Sequence, residues 1–240
     1  MTFTLQSLDC PNCGYPLPAG VAPGSILRCE ACGTSFSLPT SLTPEPDMGP
    51  VLLAADFRGP TVPGWKTWDW AKPAEFALYE GRPEWRAFLA PEPEHSSDFL
   101  ISTPGPLDDF DVCVSLRFLG GDEKNYFAGL SLRASDEGSY QAVFDSGGKF
   151  RVGWFEKANW GGYLVPWGTY PSLRVGLGIR NTLRAILRGE QMRFYLNGVL
   201  AASLKDARFS SGKLRVVASP YDQDMSLAVS NLQVRESKPF

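Results

Sequence analysis

A chain of 240 residues with 43% hydrophobic and 20% charged side chains can bury a sizeable core and is too poor in charge to stay disordered. Residues 1–50 hold one Arg against Asp9, Glu30, Glu45 and Asp47, and the rest of the chain is balanced. Neither part has the basic surplus that a nucleic-acid binder needs to displace counterions from phosphates, so no nucleic-acid partner is expected.

The start, MTFTLQSLDC, lacks the basic and apolar regions of a secretion signal, and no apolar run reaches the roughly 18 residues needed to cross a bilayer. Four of the five cysteines come in pairs, which fits metal binding in a reducing compartment better than disulfides. A soluble cytoplasmic protein without a membrane span is the expectation.

In chain order, the first element is a small metal-binding ribbon over residues 1–39. Cys10-Pro-Asn-Cys13-Gly is followed after fifteen residues by Cys29-Glu-Ala-Cys32-Gly. Two residues between paired cysteines let one tight turn present both thiolates to a single ion, and Gly14 and Gly33 permit the positive φ of such a knuckle. Two knuckles complete a tetrahedral four-sulfur Zn2+ site. With Cys10, Cys13, Cys29 and Cys32 filling every position, the zinc is structural and has no open site for water or substrate. A module of about 40 residues cannot fold on its own buried surface, so the metal supplies its stability. CPNCGYPL and RCEACGTSF, within residues 8–39, resemble the bacterial zinc ribbons that precede many unrelated domains.

Residues 40–50, rich in Pro, read as a semi-extended linker. From Val51 to Phe240 the pattern has period two. Phe110, Val112, Val114, Leu116 and Phe118 alternate with Asp111, Cys113, Ser115 and Arg117. That is a strand with one face in a core. The same pattern recurs at 126–133, 150–154, 183–188, 192–196, 213–219 and 227–235. Asn197-Gly198 marks a hairpin turn. No stretch shows a helical period and none repeats, so this domain, residues 51–240, is expected to be an all-β, two-sheet jelly-roll sandwich.

The order F-x-V-x-V-x-L-R-F, Y-x-A-G-L-x-L-R, G-x-F-x-V-G, M-R-F-Y-L-N-G and a closing V-S-N-L-Q-V resembles the concanavalin A-like lectin/glucanase superfamily. Its 3-keto-disaccharide hydrolase-like branch is the nearest in look. The resemblance spans about 98–235 and implies a concanavalin A-like jelly roll. It also implies a groove on the non-core face of the strands. The carboxylate motif of the superfamily's retaining glucanases, E-x-D-x-x-E or E-x-D-x-E, is absent, so no catalytic residue is assigned. Glu92, Glu94 and Asp98 around His95, together with Asp122-Glu123 and Asp136-Glu137, read as solvated loops and turns.

Sugars are held by aromatic faces with planar polar side chains on the hydroxyls. The stretch from Trp154 to Tyr170 is the densest in aromatic residues, and Gly161-Gly162 and Gly168 suggest exposed loops there. Trp160, Tyr163 and Trp167 are therefore candidate ligand contacts. Arg117, Arg133, Gln141, Arg184 and Tyr195, with Arg193, are expected on the groove face. Trp154 falls on the core register, and Trp65, Trp68 and Trp70 also read as core. Cys113 reads as a small half-buried side chain. The expectation is a non-catalytic module that binds carbohydrate or protein. A glycoside-acting hydrolase and a protein-only scaffold are the rivals.

Overall fold

The computed structural model describes residues 26–31, 33, 35–37, 48–55, 57–58, 62, 64–67, 75–79, 82–89, 98–121, 126–157, 159–220 and 224–239. The chain divides into two compact units, Met1–Asp47 and Met48–Phe240.

In the first unit, β1 (Ile26–Arg28) pairs antiparallel with β2 (Ser35–Ser37). The turn between them opens at the buried Cys29. The Gly33 amide donates to the Cys29 carbonyl at 2.9 Å, and Gly33 holds φ at 71°. Cys10, Cys13, Cys32 and linker residues 40–47 lie outside the described residues.

The second unit is built of strands, and no helix occurs among its described residues. One sheet contains β4 (Lys66–Thr67), β7 (Asp98–Ser102), β9 (Phe127–Ala134), β10 (Gly138–Phe144), β11 (Lys149–Glu156), β12 (Asn159–Thr169) and β16 (Lys213–Ser219). Its seven strands run in the order β12-β11-β10-β9-β16-β7-β4. The other contains β3 (Val51–Ala54), β5 (Glu75–Tyr79), β6 (Arg82–Leu89), β8 (Phe110–Gly120), β13 (Arg180–Arg188), β14 (Gln191–Leu196), β15 (Val199–Lys205) and β17 (Met225–Glu236). Its order is β15-β14-β13-β8-β17-β6-β5, with β3 paired to β17, making eight strands.

The alternation read in the sequence is the alternation of this core. Phe110, Val112, Val114, Leu116 and Phe118 of β8 are at most 1% exposed. They belong to one apolar cluster with Leu130, Leu132, Tyr140, Ala142, Phe144, Phe150 and Val152 of the seven-stranded sheet. Ring pairs tie the two sheets together. Phe118 meets Phe144 edge-on at 5.8 Å, and Phe150 lies 6.1 Å from Phe194. Each such side chain contributes about 1.5–3 kcal/mol by leaving water. Trp65 and Trp85 are buried in the same cluster, and Trp154 packs against it from a half-buried position. Trp68 and Trp70 lie outside the described residues. The hairpin at Asn197-Gly198 joins β14 to β15 with φ of 51° and 82°, both positive as that turn requires.

Candidate functional site

The expected aromatic loop is a strand. Residues 159–169 form β12, which pairs only with β11 along the seven-stranded path and so makes its edge. The glycines that suggested a loop instead serve irregular pairing. The register runs Phe155↔Trp160, Trp154↔Gly162, Gly153↔Tyr163, Val152↔Val165 and Phe150↔Gly168, so β12 gains a residue on β11 at three of these four steps. In a regular ladder Trp160 and Tyr163, three apart, would point to opposite faces. Bulges turn both outward, on the side of Phe155 and Gly153. Gly161 lies so close to the Trp154 ring that a Cβ there would strike it. Pro166 suits an edge strand, where a missing N–H need not break a ladder.

Trp160 and Tyr163 are 43% and 53% exposed. Their ring centroids lie 4.9 Å apart with planes at 69°, and Phe155 meets Trp160 at 5.2 Å. The Trp160 ring crosses the Gly153 backbone, where any Cβ would collide with it. Beneath the rings sits Arg151, 5% exposed. Its guanidinium lies 4.7 Å from the Trp160 ring, 5.2 Å from Trp167 and 5.0 Å from Phe127, and Nη2 donates to Gln141 Oε1 at 2.6 Å. A cation stacked among three ring faces fixes their positions. Trp167 also covers a small outer cluster of Phe127, Val143 and Val217.

The cross-strand registers place Arg215, Ser131, Gln141, Gly153 and Tyr163 in one row over five strands. Burial lowers the pKa of Arg215, partly offset by Asp136. The outward positions of the central strands, Ser131, Gln141, Val143, Arg151 and Gly153, include no carboxylate. The exposed chemistry is stacking on Trp160 and Tyr163; in the polar row beside them Ser131 and Gln141 are buried and Arg215 is half-buried.

The residues expected to share one groove do not share a face. Gln141, Trp160, Tyr163 and Trp167 lie on the outer face of the seven-stranded sheet. Arg117, Arg184, Arg193 and Tyr195 lie on the outer face of the eight-stranded sheet, as their pairing with β8, β13 and β15 shows. Arg117 donates to Glu84 at 2.5 Å over the Tyr79 ring, and Arg184 grips Asp111 with two bonds of 2.9 and 2.6 Å beside Tyr195. These arginines are built into the sheet rather than offered to a groove.

Arg133 is on neither face. At φ 52° it turns into the end of the sandwich, 1% exposed, and donates to the carbonyls of Asp108, Gly189 and Phe209. Alternation tells inward from outward but not which sheet a strand joins, and a left-handed residue breaks it altogether.

Arg151 and Phe155 carry the arrangement, although alternation marks them only as outward. Their outward register in Phe150-Arg-Val-Gly-Trp-Phe155, facing the aromatic stretch, was the available signal. Cys113 is half-buried, as expected. Asp136 and Glu137 are exposed in the β9–β10 turn. Glu92, Glu94, His95, Asp122, Glu123 and the Asp98 side chain lie outside the described residues.

No protein-family profile and no curated protein matches the chain. Solved structures do. The carbohydrate-binding module CBM66 from Bacillus subtilis superposes with a TM-score of 0.50 at 16% identity, over 72% of this chain and 96% of its own. A Bacillus subtilis protein of unknown function with a galectin-like fold gives 0.54 at 10% identity, over 79% and 97%. The apo Crh5 transglycosylase gives 0.54 at 11% identity, over 81% and 89%. The second unit is a galectin/concanavalin-like β-sandwich. At these identities the likeness is one of fold, and the same fold serves binding modules and glycoside-processing enzymes alike. No helix among the described residues is long and apolar enough to cross a membrane.

Proposed function

We propose that this chain is a non-catalytic carbohydrate-binding module. Its ligand stacks on Trp160 and Tyr163 at the edge of the seven-stranded sheet, and Ser131 and Gln141 belong to the polar row beside them. The observation that carries this reading is the exposed Trp160–Tyr163 pair, held by bulges and by the buried Arg151 beneath it. Large rings are normally placed where they leave water, and a ring fixed in place yet half exposed suits a ligand with an apolar face. The fold, shared with a carbohydrate-binding module, is in keeping with this.

The N-terminal unit is proposed to hold one structural Zn2+ through Cys10, Cys13, Cys29 and Cys32 in a reducing, cytoplasmic setting. The short β1–β2 hairpin with Cys29 at the head of its turn and Gly33 at positive φ fits such a knuckle. When bound, the metal supplies cross-linking in place of a core. Purified under reducing conditions, the protein is expected to carry about one zinc per chain by elemental analysis, and Cys29→Ser is expected to lose it.

A glycan array with the full chain tests the sandwich. Hits that weaken about tenfold or more in Trp160→Ala and in Tyr163→Ala are expected, a loss of about 1.4 kcal/mol. A blank array beside a stable protein partner in a pull-down would make the sandwich a scaffold. Turnover of chromogenic glycosides would make it an enzyme.

A further inference from the structure

The outer face of the eight-stranded sheet lies apart from the aromatic site and carries more cations than carboxylates among the described side chains. Cross-strand register puts Arg86, Arg180, Arg188, Arg193, Lys205 and Arg235 on that face, together with Arg117 and Arg184. The carboxylates there among the described side chains are Glu84 and Asp111, each buried against an arginine. Residues 51–240 as a whole are electrically balanced, so this face gathers cations that composition alone would not place together. Arg117 even stands directly opposite Arg180 across β8 and β13, both over the Tyr79 ring, a like-charge pairing that costs stability.

At the corner formed by β13, β14 and β15 the face opens into a cleft of about 500 Å³ lined by Asp109, Arg188, Gly189, Glu190, Gln191, Lys205 and Pro239. Of its two acids, Asp109 already accepts from the Gly189 amide and from Arg133. Glu190 is exposed at the turn. Arg188 lines this cleft, and its Nη1 atom is buried with no hydrogen-bond partner. A guanidinium with an unsatisfied nitrogen at the wall of a polar cleft favours an acceptor anion, and the planar fork of Arg suits a carboxylate or sulfate.

We propose that this face binds a polyanionic polysaccharide, one anionic group of which enters the cleft and pairs with Arg188 and Lys205. Cations spread over several cross-strand rows of one rigid sheet face suit an extended polymer that carries many charges. Nucleic acid fits less well. The tyrosines of this face, Tyr79 and Tyr195, are covered by arginines rather than open for base stacking. The site is independent of the aromatic pair on the other sheet.

Affinity electrophoresis of the zinc-loaded full chain in gels containing polygalacturonate or dextran sulfate tests it, with dextran as the neutral control. Retardation by either polyanion at low salt, about 50 mM, and its decline as salt rises are expected. Arg188→Gln with Lys205→Gln should weaken it about tenfold or more, and Arg193→Gln alone should weaken it measurably. Trp160→Ala, which removes the ligand surface of the other sheet, should leave it unchanged. The proposal is overturned if neither polyanion retards the wild type. It is also overturned if the glutamine variants, folded by circular dichroism, are retarded as strongly as the wild type. Tighter binding to duplex DNA or to phosphatidylglycerol vesicles than to both polyanions would overturn it too.

Discussion

Arg133 shows how much one side chain can hold. Its guanidinium closes the end of the sandwich by donating to three backbone carbonyls and to Asp109, which no other side chain could do from that position. Burial lowers its pKa, with Asp109 the leading charge opposing that. Arg133→Ala takes the donor from three carbonyls, that of Phe209 in a buried bond, and is expected to cost about 3 kcal/mol in urea unfolding. Arg133→Lys should cost nearly as much, because an ammonium cannot reproduce the planar fork.

Tyr140 gives a pH-dependent counterpart. Its hydroxyl donates to Asp206 at 2.7 Å and accepts from the Phe209 amide. Burial first, and then Asp206, push its pKa up to about 12 from 10.0. The folded state thus holds this proton more tightly than the unfolded chain does. Its contribution is complete below the unfolded pKa and is lost as pH climbs through the folded one. Unfolding free energy should fall across pH 10 to 12, and Tyr140→Phe should flatten that slope while lowering stability at pH 8.

Among the elements, β12 departs furthest from its sequence pattern. Strands with strict alternation, such as β8, were legible with their inward and outward faces, because one buried face fixes the register. In β12 the bulges replace period two with steps of three and four, so a strand reads as a loop. The three aromatic candidates were therefore found by density rather than by direction. Gly153 is the matching position on β11. Gly153→Ala places a methyl group where the Trp160 ring lies. It should shift tryptophan fluorescence and weaken glycan binding to the extent that Trp160→Ala does. Its effect on stability should be smaller, within about 1 kcal/mol, since the displaced ring is at the surface. The outward arginines present the opposite case. The sequence marks each as non-core, but two sheets have two outer faces, and only pairing partners far away in the chain decide which one a strand presents.

On the scale of the whole molecule, the sandwich is held by strands distant in sequence. β8 lies between β13 and β17, and β9 lies between β10 and β16. Such topology folds slowly, so stopped-flow refolding is expected to take milliseconds to seconds or longer, on the order seen for β-sandwiches. The all-β class, the core face of each regular strand and the hairpin at Asn197-Gly198 were legible because they depend on neighbours in the chain. Strand order and the sides of the sandwich were not, because they depend on closure. Strand β17 draws the consequence for synthesis. It sits in the middle of the eight-stranded sheet, with β8 on one side and β6 and then β3 on the other. Translation delivers it roughly a hundred residues after β8, a wait of about 5–20 s at ordinary ribosome speeds. Through that interval the Phe110–Phe118 side of β8 has no finished sheet to rest in, and a nascent chain in that state is a ready client for chaperones.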